Sequence, residues 1–355
     1  MTVDRVVVVG DPQTTFEQFI AVLRARDVLT VNDVVRPSIR LVSIGDHFDF
    51  GREGIDSQAA ARAGIEIMNW LRGHPKSQVR ILVGNHDICR VMEFASLTDA
   101  DFALARKIAE AKDEEALFAR FPSLPSTGVV LRDFSAFCEA QRELIQECLL
   151  TDRLSLAEVG QTSDGRDVLI THAGVTDREL GILGCQGTGA LETADALNDA
   201  LRLAVDRVAC AWRAGRVAAL DLGPLHRPGS AGNEGGGLLY HRPSTVDEHR
   251  GVGEVSVPRR FHPSSLPRGL HQVCGHTQHK KCTSLLPEVA AHARVPDGAL
   301  RTLKSGNEGL SYEAGCITPG PDEGCLWMVD SGLNRWPAAQ VQVLELASLV
   351  LNPPL

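Results

Sequence analysis

The chain reads as an α/β protein in which strands and helices alternate, and two observations support that class. Short apolar runs rich in β-branched residues recur at Val6-Val7-Val8-Val9, Leu41-Val42-Ser43-Ile44 and Ile81-Leu82-Val83, and each closes on a glycine. Such continuous runs suit strands buried on both faces. Between them lie amphipathic stripes at helical spacing, Phe16, Phe19, Ile20 and Leu23 after the first run and Ile55, Ala59, Ala63, Ile67 and Leu71 after the second.

Taken in order, Thr14-Thr15-Phe16-Glu17-Gln18 offers a capping box and predicts a helix over about 15–27. The second stripe ends near Gly73 and Pro75, and a third strand is expected over 79–83. Between Asp87 and Val168 the pattern becomes helical, with helices expected at about 99–116 and 134–151, separated by Phe121-Pro122-Ser123-Leu124-Pro125. Residues 88–160 are therefore expected to form a helical insertion, either a cover for a functional site or a plain structural elaboration. A further helix is expected over about 187–214, with Leu191, Ala194, Leu197, Leu201 and Val205 on one face. Residues 223–237 hold six glycines and two prolines and predict an irregular loop, either a lid or an exposed mobile segment. Strands are expected again at about 325–330 and 340–346. A single domain over 1–355 is expected, because the functional loops described next run nearly from end to end.

Composition narrows the function classes. A net charge of −9 argues against a general nucleic-acid surface, which needs a basic face to neutralise phosphates. The nine cysteines include no CxxC pair, so neither a disulfide framework nor a zinc ribbon is expected. The first strand begins too early to leave room for a signal peptide, and no run approaches the roughly 20 apolar residues of a membrane span. A reducing cytoplasm is the expected compartment, with no membrane partner.

Chemistry concentrates where the strands end. The loops are Gly10-Asp11-Pro12-Gln13, Gly45-Asp46-His47-Phe48-Asp49, Gly84-Asn85-His86-Asp87, Thr171-His172-Ala173-Gly174 and Gly275-His276-Thr277-Gln278-His279. Ligands of open α/β sheets collect beyond the carboxyl ends of the strands, so these loops are expected to converge. Asp, Asn, Gln and His together form a hard-to-borderline donor set that suits Mn, Fe or Zn.

In order and spacing these loops resemble the calcineurin-like metallophosphoesterases, nearest the branch of phosphoprotein phosphatases, Shewanella-like phosphatases and symmetrical diadenosine tetraphosphatases. The resemblance spans Asp11 to about Asp330. It implies a two-sheet αββα sandwich and two divalent ions, Mn foremost with Fe or Zn as alternatives. Carried over position by position, Asp46 would bridge the ions, Asp11 and Gln13 would hold the first, and Asn85, His172 and His276 the second. A water between the ions would be the nucleophile. His86 would protonate the leaving oxygen, with Asp49 orienting its ring, and Asp330 would support the site. Arg242, in Tyr240-His241-Arg242-Pro243, or Arg52 would bind the substrate phosphate.

The chain departs from the family pattern at Gln13, where His is usual, at Phe50, where Arg is frequent, and at His279, one residue later than the second His of GHxH. His279 is accordingly a possible metal ligand or substrate contact, and His47 a packed loop residue. The implied activity is hydrolysis of a phosphomonoester or phosphoanhydride on a phosphoprotein, a dinucleoside polyphosphate or a small phosphoester. A metal-binding scaffold with weak or no turnover and a phosphodiesterase are the alternatives.

Overall fold

The computed structural model describes residues 5–50, 57–132, 134, 136–185, 189–246, 257–320 and 322–349. The protein is mixed α/β, with two large sheets and two small ones among these residues. The five-stranded sheet has the order Leu344–Glu345, Arg5–Val9, Ile39–Ser43, Val79–Leu82, Leu154–Ser155. Its last four strands run parallel, and Val9 sits opposite Ser43, which sits opposite Ile81, so the three strand ends are nearly level. The six-stranded sheet has the order Gly309–Ala314, Arg301–Gly306, Gly324–Met328, His271–Cys274, Asp167–Thr171, Ala157–Gln161. Its three middle members in this run, ending at Met328, Cys274 and Thr171, are parallel and in register at those residues.

Alternation along the strands assigns their faces. Val8, Val42 and Leu82 of the first sheet share one apolar cluster with Val168, Ile170, Val273, Cys325 and Trp327 of the second. The intervening Val7, Val9, Leu41 and Ile81 point the other way and pack on Phe19, Ile20 and Leu23 of helix Phe16–Ala25 and on Ile67 and Leu71 of helix Ser57–Arg72. Cys274, Leu326 and Met328 likewise face Cys282, Leu286 and Ala290 of the short helices His279–Leu285 and Pro287–Ala290. Burial on both faces is why these strands carry almost no polar alternation in sequence.

The helical segment between the sheets' strands differs in detail from the expectation. The predicted helix over 99–116 is two, Asp99–Glu110 and Glu114–Arg120. Lys112 turns left-handed there (φ 57°), and the Asp113 carboxylate restarts the helix by accepting from the Ala116 N–H. The predicted helix over 134–151 is Glu139–Leu150, preceded by an unforeseen turn of helix at Thr127–Arg132. These helices carry a small core of their own, in which Phe94 meets Phe102, Phe134 and Phe137 edge to face at 4.9–5.6 Å.

Three further expectations are corrected. Helix Ala190–Arg213 buries Ala194, Leu197, Leu201 and Val205, but Leu191 is 58% exposed, because the buried stripe begins at Ala190 instead. The glycine-rich stretch is not an exposed loop throughout: His226–Arg227 pairs with Gly236–Gly237, and most of it is buried or half-buried outside the exposed tip at 231–234 and residues Pro224 and Arg227. Gly237 (φ 89°) permits this, since a Cβ there would lie 2.3 Å from the Leu225 carbonyl oxygen. The final strand is shorter than expected, Leu344–Glu345, and strands 157–161, 301–306 and 309–314 were not foreseen. Among the described residues no helix is long and apolar enough to cross a membrane.

Phe94 is fully buried at the centre of the aromatic group, so Phe94→Ala should cost about 3–5 kcal/mol in urea unfolding. A loss below about 1 kcal/mol would mean that this group is not a packed core.

Candidate functional site

Six parallel strands end level, and each delivers a polar residue to one region: Asp11, Asp46 and Asn85 from the first sheet, His172, His276 and Asp330 from the second. All six are buried. The loops of the two sheets are tied directly to each other. The His276 backbone N–H donates to Asp11 Oδ2 at 2.9 Å, and the His172 ring donates from Nδ1 to the Ile44 carbonyl at 3.0 Å. Glycine makes this approach possible: a Cβ at Gly84 would fall 2.2 Å from Asp46 Oδ1, and one at Gly275 would fall 2.1 Å from Asp11 Oδ1.

The donor set at the centre follows from hydrogen-bond bookkeeping. His172 spends its Nδ1 proton on Ile44, and His276 donates from Nε2 to the Tyr240 carbonyl at 3.2 Å. A ring that carries only that proton has a bare lone pair on its other nitrogen. Those nitrogens, His172 Nε2 and His276 Nδ1, stand 3.2 Å apart, with Asn85 Oδ1 3.1 Å and Asp46 Oδ1 3.4 Å from His172 Nε2. Asp46, His172 and His276 form a buried group able to hold a metal ion. Burial, with the nearby Arg242 and His172, holds the His276 imidazole well below its usual range, so it stays neutral. Electron pairs facing one another in a dry site repel unless a cation stands between them, and the residues present fit a divalent ion.

Asp11 and Gln13, assigned to a first ion, are placed beside this group but do not join it. Asp11 is raised well above the usual carboxylate range by burial and then by the charges of Asp330 and Asp46. Asp330 is raised as well, chiefly by burial. Gln13 is half-buried and donates from Nε2 to the Phe48 carbonyl at 3.2 Å, which leaves its amide oxygen as the atom available for ligation.

His86 lies at the edge of the centre. Its Nδ1 meets Asp49 Oδ2 at 2.9 Å, and its Nε2 is 3.9 Å from Asp46 Oδ2. Asp49 is fixed in turn by the Ala136 N–H on Oδ1 and by the Arg90 guanidinium on Oδ2 at 2.5 Å. Burial opposes ionisation of Asp49, but Arg90 and His86 together outweigh it and hold the carboxyl below its usual range. Asp46, Asp49 and His276 all adopt left-handed backbone (φ 59°, 62° and 63°). Non-glycine residues there cost on the order of 1–3 kcal/mol each and collect at functional sites.

Two contributors were missed by sequence reasoning. Arg90 is fully buried, and besides Asp49 it donates to the His86 and Ala136 carbonyls and to Gln141 Oε1, which ties the Asn85-His86-Asp87 loop to the helical segment. Asp87 accepts from the backbone N–H groups of Gly84, Asp46 and His47, and burial notwithstanding these bonds and His47 hold it down to about 2. The signal was present in Asn85-His86-Asp87, but a carboxylate that binds only backbone is indistinguishable in sequence from a loop cap. His47 is packed between Ser43 and Asp87, as expected.

His279 is not brought to the centre. It heads helix His279–Leu285, stacks on Tyr312 and meets the tyrosine hydroxyl at 3.1 Å, because the extra residue in Gly275-His276-Thr277-Gln278-His279 carries it into the helix. Arg52 lies outside the described residues. Arg242 opens a short strand beside Arg260 and lines a cavity two residues after Tyr240, whose carbonyl accepts from His276. Phe50 packs on Ala60, Ala61, Ala63 and Ala136, an apolar niche with no room for an arginine's charge.

No protein-family model and no curated protein matches the chain. Among solved structures it is similar, at 13% identity, to a cold-active protein-tyrosine phosphatase of a psychrophile, Shewanella sp., with a TM-score of 0.40 over 98% of this chain and 76% of that one. A mutant of a cold-active protein tyrosine phosphatase gives a TM-score of 0.42 at the same identity and coverage. These likenesses are too distant to assign chemistry, which is read from the chain's own residues.

Arg90→Met should destabilise the protein by about 3–5 kcal/mol at pH 7, since it strands a buried carboxylate. Asp49 is depressed when folded, so the stability it confers is present above the ordinary Asp value of about 3.9 and is lost as pH falls through its folded value. The gap between wild type and variant should therefore narrow in melts taken below pH 4. A gap that stays constant to pH 2 would show that Arg90 does not act on Asp49.

Proposed function

We propose that the chain is a metal-dependent phosphatase of the calcineurin-like metallophosphoesterase type, built on an αββα sandwich with a helical insertion over about 88–160. The observation that carries the reading is the pairing of a buried centre of four ligand-type atoms with a histidine whose outer nitrogen faces it and whose inner nitrogen is held by a carboxylate. Asp46, Asn85, His172 and His276 would hold one divalent ion. Asp11, Gln13 and the second oxygen of Asp46 would hold another, with Mn the first choice. Such ions, when bound, supply positive charge to a phosphoryl group and lower the pKa of water.

The rest is the work of this chain's residues. In its doubly protonated form His86 donates from Nδ1 to Asp49 and presents Nε2–H to the leaving oxygen. After transfer it remains neutral with the Nδ1 proton still on Asp49, ready to regain the other from water. Arg90 keeps Asp49 ionised, so the ring's orientation survives each cycle. Phosphorylated protein or nucleotide is the proposed partner, in a reducing cytoplasm.

With Mn added, wild type should hydrolyse phosphomonoesters. His86→Asn should keep its metal content by mass spectrometry while losing roughly a hundredfold or more on alkyl phosphates and less on nitrophenyl phosphate, whose leaving group needs no acid. Equal losses on both esters would remove His86 from the acid role. Two-metal loading with no turnover in wild type would favour the scaffold reading instead.

A further inference from the structure

The chain that follows Asn85-His86-Asp87 buries a second polar side chain besides Arg90. Glu93 is 1% exposed, and its Oε1 accepts from the Tyr240 hydroxyl at 2.5 Å and from the Gly229 N–H at 2.7 Å. Burial raises its pKa against these two bonds, and an apolar side chain of its size would pack there at lower cost. What the carboxyl group adds is an acceptor aimed at Tyr240.

Tyr240 is buried, with its ring 4.7 Å from that of His226, and its backbone N–H closes a turn on the Gly237 carbonyl at 2.8 Å. Two side chains tether that turn to other segments: the Tyr240 hydroxyl to Glu93, and the His241 ring, which donates from Nε2 to the Gly174 carbonyl at 3.1 Å. The Tyr240 carbonyl is the group that meets His276 Nε2 at 3.2 Å. A carbonyl can only accept, so this contact selects the ring form with its proton on Nε2 and leaves Nδ1 towards His172 Nε2, 3.2 Å away. His172 has a separate support, the Ile44 carbonyl at 3.0 Å beyond strand Ile39–Ser43.

We propose that Glu93 and Tyr240 are positioning residues for His276: Glu93 holds the phenol, the phenol holds the turn, and the turn's carbonyl fixes which nitrogen of His276 faces the centre. With Arg90 on Asp49, the stretch 85–93 then supports both His86 and His276. The consequence for metal rests on His276 being a ligand, as in the phosphatase reading, whereas the effect on the ring does not.

The ring is therefore read first without metal, by long-range proton–nitrogen-15 spectra of the full chain stripped by chelation, with His276 and His172 assigned by their loss in His276→Gln and His172→Gln. Wild-type His276 should carry its proton on Nε2 alone. Tyr240→Phe, which removes only the hydroxyl, and Glu93→Leu should each give His276 a mixture of both ring forms while His172 stays as in wild type and far-ultraviolet circular dichroism is unchanged. Glu93→Gln, which keeps an acceptor oxygen, should retain the single form. Calorimetric titration of Mn should then give an affinity about tenfold lower in Tyr240→Phe and Glu93→Leu than in wild type and Glu93→Gln. A single Nε2-protonated His276 in folded Tyr240→Phe, or a mixture in Glu93→Gln as large as in Glu93→Leu, overturns the role. Equal changes at His276 and His172 overturn it too, because they report general loosening. Failure of wild type to bind Mn sinks the ligand reading alone, since the ring forms are read without metal.

Discussion

Four ligand-type atoms, Asp46 Oδ1, Asn85 Oδ1, His172 Nε2 and His276 Nδ1, converge in a buried space. Asp46 Oδ1 also accepts the His86 backbone N–H at 2.9 Å, which fixes the carboxylate in place. The surrounding structure enforces the arrangement. The outer nitrogens of both histidines are fixed by backbone carbonyls, so neither ring can turn away. Donor atoms aimed this rigidly at one another form a group able to hold a cation.

The fold supplies what that constraint requires. Two sheets pack through Val8, Val42, Val273 and Trp327, and this brings the level ends of six parallel strands together. Gly84 and Gly275 let backbone approach carboxylate more closely than any side chain would permit. The left-handed Asp46, Asp49 and His276 turn their side chains inward at a local cost that the packed sheets sustain. Arg90 then couples the centre to the helices, because one guanidinium binds Asp49, the His86 carbonyl and the Ala136 carbonyl. One side chain thus links the helical segment directly to the Asp49–His86 pair.

Much of this was legible in the sequence, for physical reasons. Strands buried on both faces write continuous apolar runs, and Asp11, Asp46, Asn85 and His276 each follow a glycine at a strand end while His172 stands two residues before one, so these five stood out in the sequence. Arg90 could not, since a buried arginine in a charged chain looks like a surface one until its carbonyl partners are known. A cavity lining was equally hidden: Arg132, the adjacent Arg259 and Arg260, and Lys281 come from three separate segments that meet only through tertiary packing. His279 failed as a metal candidate because one inserted residue, which alters a loop motif only slightly, moves a side chain by a quarter of a helical turn or more. The hairpin of strands 301–306 and 309–314 went unread because Lys304 and Ser305 interrupt its apolar pattern.

The account turns on a cation among those four ligand-type atoms, and anomalous diffraction tests it most directly. Crystals grown with Mn and measured on both sides of its absorption edge should show a peak bonded to Asp46, Asn85, His172 and His276 together. A map with no anomalous density among these atoms at saturating Mn, or with Mn bound elsewhere while ordered water fills this position, would contradict it.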